Sequence, residues 1–442
     1  MYLSLKNDLT AEERERLIAE TVENYNEYLN PAFLGMKKSA SAKEVEWAAE
    51  GALMFDVHGK SFIDCLAGYG VFVLGHRPKP VMDAVMAVYA RMGLYSQELL
   101  NPLQGELAKK LAEITPGDIK YTYFHSGGAE SNDAAIKLAR LYHREVRGEE
   151  RCVHVTFTNS FHGKTMGALS GTNRGAIRDK FQPLVPGLGE EGTVARYGDL
   201  EDLERVMKAN AGKVASVIVE AVQGEGGINV PGDDFMPGVR KLCDEHGALL
   251  HVDEVQSGFC RSGAMFCCEH TGVKPDIIVM AKAMSGGVFP ISAVSGTREV
   301  WQAIFGNPWY FTNTFAGSAP ACAAALAAID MMEREDVARQ SRQKGESFKN
   351  NLWEIAREFP DEIADVRGLG LWIGVEFREA DTGFAVSKGL FERDVLVAHT
   401  INNPKVMRLQ PPVVIGCDLL DKVVDRFRDT LKHVHGHTHA AV

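Results

Sequence analysis

The chain has 442 residues, of which 45 % are apolar and 24 % charged, and its formal net charge is −11. That length calls for two or three structural units around a large core, and the ordinary apolar share excludes disorder on a large scale. The acidic balance argues against a general nucleic-acid binder, because phosphate contact needs a basic face. No stretch reaches the roughly 18 apolar residues of a membrane helix. The first residues show no basic region followed by an apolar one, so no signal peptide is expected. Eight cysteines at irregular spacing match no zinc pattern and read mostly as small core hydrophobes. A reducing cytoplasm is the expected compartment.

In chain order, Thr10-Ala-Glu-Glu13 is a capping box that starts a helix. Ile18, Val22, Tyr25 and Leu29 recur on one face of it until Asn30-Pro31 stops it. That face is expected to pack on the body of the protein or on a partner subunit. From about residue 60 to 335, short apolar runs alternate with segments of helix length. The runs are Tyr121–Phe124, Cys152–Phe157, Ala215–Val222, Ala248–Asp253 and Ile277–Met280. Such runs predict an α/β unit with a mostly parallel sheet buried on both faces. After about residue 335, charged helices surround Leu371–Phe377, Val395–Ala398 and Val406–Leu409, and a last helix carries Leu420, Val424, Phe427 and Leu431 on one face. The expected division is an N-terminal segment (1–60), a large domain (61–335) and a smaller α+β domain (336–442). The tail from His433 to His439 holds four histidines that would catch a metal weakly, but a frayed terminus is the expectation.

The chemistry-bearing residues fall just after the apolar runs: Ser126, Phe161, Glu220, Asp253 and Lys282. Open α/β sheets bind ligands beyond the carboxyl ends of their strands, which predicts a single pocket there. Lys282 ends an apolar run, where a desolvated amine becomes a nucleophile and base near neutral pH. A lysine at a strand exit that merely reaches solvent is the plain alternative. Asp253, also at a strand end, would keep a pyridine nitrogen protonated, and the pair suggests pyridoxal phosphate chemistry. His125-Ser-Gly-Gly-Ala129 opens a helix, so the amides of Gly128 and Ala129 would hold a phosphate; a simple turn has the same look. Phe161, followed by His162, would stack on a flat ring, or else be a core phenylalanine. Val255 would lie under that ring and Gln256 near its phenolic oxygen.

Taken together these motifs resemble the class III aminotransferases, which are pyridoxal-phosphate enzymes of fold type I. The resemblance spans almost the whole chain: Ser126–Asn132, Phe161–Gly163, the run Glu220-Ala-Val-Gln-Gly-Glu-Gly-Gly227, Asp253–Gly258, Ala281-Lys282, Thr314–Gly317 and Arg408 before Pro411-Pro412. Within the family the chain is most similar to members that act on diamines, through Phe62–Leu66, Ser96–Leu100 and Val395–Asn403. The resemblance implies catalysis by Lys282 and Asp253, and a cofactor site of Gly128, Ala129, Phe161, His162, Asp253, Val255, Gln256, Lys282 and Thr314. It also implies substrate contacts from Gln97, Glu220 and Arg408, and a homodimer or dimer of dimers in which Thr314 reaches the phosphate site of the other chain. There are two departures from the common pattern. Ala129 has no hydroxyl to offer a phosphate, and Lys164 stands where ornithine-type members carry arginine. Losing the guanidinium fork suits a donor without a carboxylate.

The implied reaction moves a terminal amine of putrescine or cadaverine to a 2-oxo acid such as 2-oxoglutarate, giving an amino-aldehyde and glutamate. Arg408 would bind the acceptor's carboxylate, and Glu220 would pair with Arg408 while a diamine is bound; a plain structural ion pair is the other reading. Trp309-Tyr310-Phe311 would offer ring faces to an ammonium, or form a core or interface cluster. The alternative activities are an ω-amino acid transaminase and a protein of the same fold that binds ligand without catalysis.

Overall fold

Strands made wholly of buried apolar residues need cover on both faces, so they occupy the interior of a sheet. Val153–Phe157, Val214–Val219, Leu249–Asp253 and Ile277–Met280 are such strands, with every residue buried. They appear in a computed structural model that describes residues 2–36 and 44–440, with side chains as far as His435.

In chain order the strands are β1 (Glu46–Glu50), β2 (Leu53–Asp56), β3 (Ser61–Asp64), β4 (Ile119–His125), β5 (Val153–Phe157), β6 (Val194–Ala195), β7 (Val214–Val219) and β8 (Leu249–Asp253). They continue with β9 (Ile277–Met280), β10 (Ser292–Thr297), β11 (Ile363–Leu369), β12 (Trp372–Phe377), β13 (Val395–Leu396), β14 (Ala398–His399) and β15 (Val406–Leu409). The large sheet has the order β4-β10-β9-β8-β7-β5-β6. Only β10 runs antiparallel to its neighbours, so β4 points the same way as β9 and the parallel strands beyond it. The carboxyl ends of β4, β5, β7, β8 and β9 therefore share one edge, which is what gathers the site.

β10 left no apolar signal in the sequence. Its residues, Ser-Ala-Val-Ser-Gly-Thr, include only two buried apolar side chains, and hydroxyl contacts add to its backbone ladders: Thr122 with Ser295 at 2.7 Å, and Ser131 donating to Ser292 at 2.8 Å. In the smaller unit, β11-β12-β15-β14 form an antiparallel sheet. The run expected as one strand over Val395–Ala398 divides. β13 pairs in parallel with β3, while β14 pairs with β15. The boundary expected at residue 60 falls inside a hairpin, because β2 and β3 are antiparallel neighbours in a sheet that also holds β1 and β13. One hydrophobic cluster runs from Val219, Val252 and Ile278 of the large sheet to Trp372, Val375 and Phe427 of the smaller unit.

The capping box forms as expected, with Thr10 Oγ1 accepting from Glu13 N at 3.2 Å and Glu13 Oε2 accepting from Thr10 N at 3.1 Å. The helix it starts covers Ala11–Asn24 and widens into a last turn at Tyr25–Leu29. Leu17 is buried against Leu3 and Val57, but Tyr28 and Leu29 are exposed. The expectation of a frayed tail is corrected for the backbone: the final helix, Cys417–Ala440, continues through the histidine run, and His435 pairs with Glu362. The side chains of His437 and His439 lie outside the described residues. Six of the eight cysteines are buried and none is in a disulfide.

Gly345 shows why a poor helix former sits inside the helix Val337–Glu358. A Cβ there would lie 2.0 Å from the carbonyl oxygen of Gly370, a backbone atom that cannot rotate away. Gly345→Ala is expected to cost about 1–3 kcal/mol through overpacking, read as a lower denaturation midpoint in urea. An unchanged midpoint would show that the two segments separate freely.

Candidate active site

The shared strand edge carries a cavity of about 450 Å³, lined by Ser126–Ala129, Phe161–Gly163, Glu220, Asp253, Val255, Gln256 and Lys282 among others. Five separate segments thus bring together most of the residues singled out in the sequence.

Lys282 follows β9 and adopts φ 49°, a left-handed conformation that a lysine rarely takes. Such strain persists only where the surroundings impose it, and it turns the residue off the strand into the cavity. Burial lowers the ammonium's pKa, and the nearby Arg408 lowers it further, against the opposing pull of Glu225, Asp253 and Glu220. The amine is thereby made more available as a base and nucleophile.

Asp253 ends β8. Its Oδ2 accepts from His162 Nδ1 at 2.8 Å and from Asn132 Nδ2 at 2.9 Å, and its Oδ1 accepts from the Val255 amide at 3.0 Å. Burial opposes ionisation, yet these donors and the charge of His162 outweigh it and hold the carboxyl below its ordinary value. For His162 burial favours the neutral ring, but Asp253 wins and the imidazole is raised above its ordinary value. His162 thus touches Asp253 rather than acting alone. Asn132, quoted within the Ser126–Asn132 motif but given no role, also donates to the His162 carbonyl at 2.8 Å.

The phosphate expectation rests on the helix Gly128–Glu145. Glu130 Oε2 accepts from the amides of Ser126 and Gly127, and the first-turn amides of Gly128 and Ala129 come next. A Cβ on Gly128 would lie 2.8 Å from Val255 Cγ1, so only glycine fits between helix and Val255. An aldehyde-bearing, phosphorylated pyridine fits these groups: an amine for the aldehyde, an ionised carboxylate for the ring nitrogen, amides for the phosphate.

Glu220 departs from its expected role. Its oxygens accept from the amides of Phe161 at 3.0 Å and Gly224 at 3.1 Å, so it does not pair with Arg408. Burial pushes its carboxyl up to about 7, against the pull of His162. The partner of Arg408 is Glu225, which was quoted in the same motif without a role. Arg408 Nη1 donates to Glu225 Oε1 at 2.6 Å and Nη2 donates to Oε2, a buried two-pronged pair. Burial raises the Glu225 carboxyl, but the arginine outweighs it and holds it below its ordinary value. The Arg408 guanidinium also lies 5.2 Å from the Tyr69 ring centre, and Gln256 Nε2 donates to the Tyr69 carbonyl at 3.0 Å. Tyr69 had no sequence signal beyond an ordinary aromatic.

Gln97 and Thr314 do not line the cavity. They meet on the exposed surface, where Gln97 Nε2 donates to the Thr314 carbonyl at 3.0 Å. Trp309, Tyr310 and Phe311 also lie outside this cavity and border a groove with Lys137 and Arg140. Phe311 is packed in a core cluster and Trp309 is 80 % exposed. Lys164 is exposed.

Residues 39–431 match the family model for class III aminotransferases, and the chain belongs to that family. It is an aminotransferase that works with pyridoxal phosphate, an amine donor and a 2-oxo acid. Over 97 % of its length it is 42 % identical to a putrescine aminotransferase of Pectobacterium atrosepticum, covering 92 % of that protein. Among solved structures it is similar to the ornithine aminotransferase from Toxoplasma gondii ME49, at 28 % identity and TM-score 0.87, over 97 % of this chain and all of that one. A Bacillus anthracis aminotransferase is similar at 26 % identity and TM-score 0.88, over 96 % of this chain and 100 % of that one. No helix among the described residues is long and apolar enough to cross a membrane.

The His162–Asp253 pair has a definite pH window. It weakens as pH falls through the depressed carboxyl value, and again as pH rises through the raised imidazole value. In Asp253→Asn the burial of His162 is left uncompensated, so its imidazole is expected to titrate below the ordinary value in ring-nitrogen NMR. An imidazole that stays raised would place the cause elsewhere.

Proposed function

We propose that the enzyme moves a terminal amine of a short diamine, putrescine or cadaverine, to 2-oxoglutarate, with an amino-aldehyde and glutamate as products. The observation that carries this reading is the buried Arg408–Glu225 pair. Arg408 is neutralised while the amine donor enters, so a dication meets no bare guanidinium. The exposed Lys164, in place of a guanidinium fork, also suits a donor without a carboxylate. The named activity of the Pectobacterium relative supports the same choice.

Bound pyridoxal phosphate supplies an electrophilic aldehyde and a protonated ring that withdraws electrons. The chain's own groups do the rest. Lys282 Nζ, its pKa lowered, is the base that takes the proton from the donor's amine-bearing carbon and later returns one. Asp253, fixed by His162, Asn132 and the Val255 amide, keeps the ring nitrogen protonated. Gly128 and Ala129 amides would hold the phosphate, Phe161 would cover the ring, and Gln256 and Val255 would bound its other sides. His162 acts through Asp253. Glu220 holds the loop of Phe161 in place through its amide. For the acceptor, Glu225 swings away and Arg408 grips a carboxylate with two parallel bonds.

The working unit is a homodimer. Gln97 and Thr314 lie on a surface that also exposes Leu99, Leu100, Trp309 and Phe315, an apolar patch of the kind that a partner covers. A second copy there would bring Thr314 to the phosphate and Gln97 to the substrate, roles that neither has within one chain. Cytoplasmic residence fits eight free cysteines. A second reading, with ornithine or 4-aminobutyrate as donor, draws on the similarity to the Toxoplasma structure.

Lys282→Ala is expected to abolish turnover and the visible absorption of the lysine-bound cofactor; near wild-type turnover would remove the assignment. Arg408→Ala is expected to lower kcat/KM for 2-oxoglutarate about 100-fold, the value of a buried charge-assisted pair, with far less effect on the diamine. Equal losses for both would eliminate the gate. A donor panel with 2-oxoglutarate and pyruvate as acceptors checks the substrate: kcat/KM should be higher for putrescine or cadaverine than for ω-amino acids.

A further inference from the structure

The loop between β14 and β15 touches both members of the Arg408–Glu225 pair. Arg408 Nη2 donates to the His399 carbonyl at 3.1 Å. Ile401 N donates to Glu225 Oε2 at 2.9 Å, and Asn402 N donates to the Glu225 carbonyl at 2.9 Å. The loop is closed on itself by Thr400 Oγ1 donating to the Asn403 carbonyl at 2.7 Å. Beyond these bonds to Glu225, the Asn402 side chain ties the loop to a second segment of the large domain. Its Nδ2 donates to the carbonyls of Asn159 at 2.8 Å and Ser160 at 3.1 Å, the two residues just before Phe161.

Two carbonyls side by side need two donors from one short side chain, which an asparagine amide supplies and an aspartate cannot. The consequence concerns Glu225. To free Arg408, its carboxylate must give up the Ile401 amide as well as the guanidinium. The closed arrangement therefore has an extra bond, present only while the loop stays against the Phe161 segment.

We propose that Asn402 is a positioning residue that sets donor-against-acceptor preference: by tethering the 399–403 loop it keeps the Ile401 amide on Glu225 and biases the Arg408–Glu225 gate toward the closed state. This rests on the reading that Arg408 takes the acceptor's carboxylate. A ligand gains access to Arg408 only to the extent that the open state is populated, so loosening the tether raises apparent affinity for a carboxylate. It also exposes a cation to the incoming diamine.

The test uses glutarate, a dicarboxylate that cannot react, titrated calorimetrically into the holoenzyme. Asn402→Ala is expected to bind glutarate about tenfold tighter than wild type, the effect of removing one charge-assisted hydrogen bond from the closed gate. Arg408→Ala should lose the binding. In steady state the Asn402 variant should show a lower KM for 2-oxoglutarate and a higher KM for the diamine, with kcat little moved. Asn402→Asp, which keeps the size and loses both donors, should shift the same way and serves if the alanine variant fails to fold. If Arg408→Ala binds glutarate like wild type, the carboxylate reading of Arg408 fails and takes this proposal with it. If Arg408→Ala loses glutarate but both Asn402 variants bind it no tighter than wild type, the gate stands and the tether is wrong.

Discussion

An ionised carboxylate buried at the end of an interior strand is costly unless fixed donors surround it. Asp253 meets that requirement with three: an imidazole N–H, a side-chain amide and a backbone amide. Each comes from a different place in the chain. His162 follows β5, Asn132 lies in the first turns of the helix Gly128–Glu145 after β4, and Val255 is two residues beyond Asp253 itself. Holding one charge thus requires strands β4, β5 and β8 in register at their carboxyl ends. The site is accordingly a property of the sheet rather than of any one motif.

The same edge supports two buried acids with opposite tendencies. Glu225 faces a guanidinium that holds it below its ordinary value, whereas burial pushes Glu220 up to about 7 against His162 and two backbone amides. Five residues apart in one glycine-rich turn, they divide the work. One braces the loop that carries Phe161, and the other neutralises Arg408. Arg408 itself sits on β15 in the smaller unit, opposite Gly374 and Ala398. The Arg408–Glu225 pair therefore spans the junction between the two units, where the shared hydrophobic cluster holds them together.

Most of the fold was legible because buried parallel strands read as unbroken apolar runs. Lys282, Asp253 and Phe161 were legible because each ends such a run or lies within four residues of its end. The features that escaped share a physical cause. β10 is built mostly of small residues, with only Ala293 and Val294 apolar among serines, glycine and threonine, so periodicity is silent. The division of Val395–Ala398 between two sheets depends on which neighbours reach it. Glu225 was mistaken for a bystander because irregular backbone between Glu220 and Gly227 gives no rule for which carboxylate turns toward β15.

By itself the sequence determined the chemistry: a lysine and an aspartate at strand ends, a glycine turn opening a helix, an aromatic after a strand, and an arginine far along the chain. Those assignments are local, because strand ends and helix starts are set by neighbouring residues. Tertiary structure alone decided which groups touch. It placed Glu225 rather than Glu220 on Arg408, put Asn132 and His162 on one carboxylate, and brought the 399–403 loop against Phe161. It also left Gln97 and Thr314 outside the cavity of their own chain. Contacts between residues about ninety or more positions apart depend on how sheets and loops pack, and a linear pattern carries no measure of that distance.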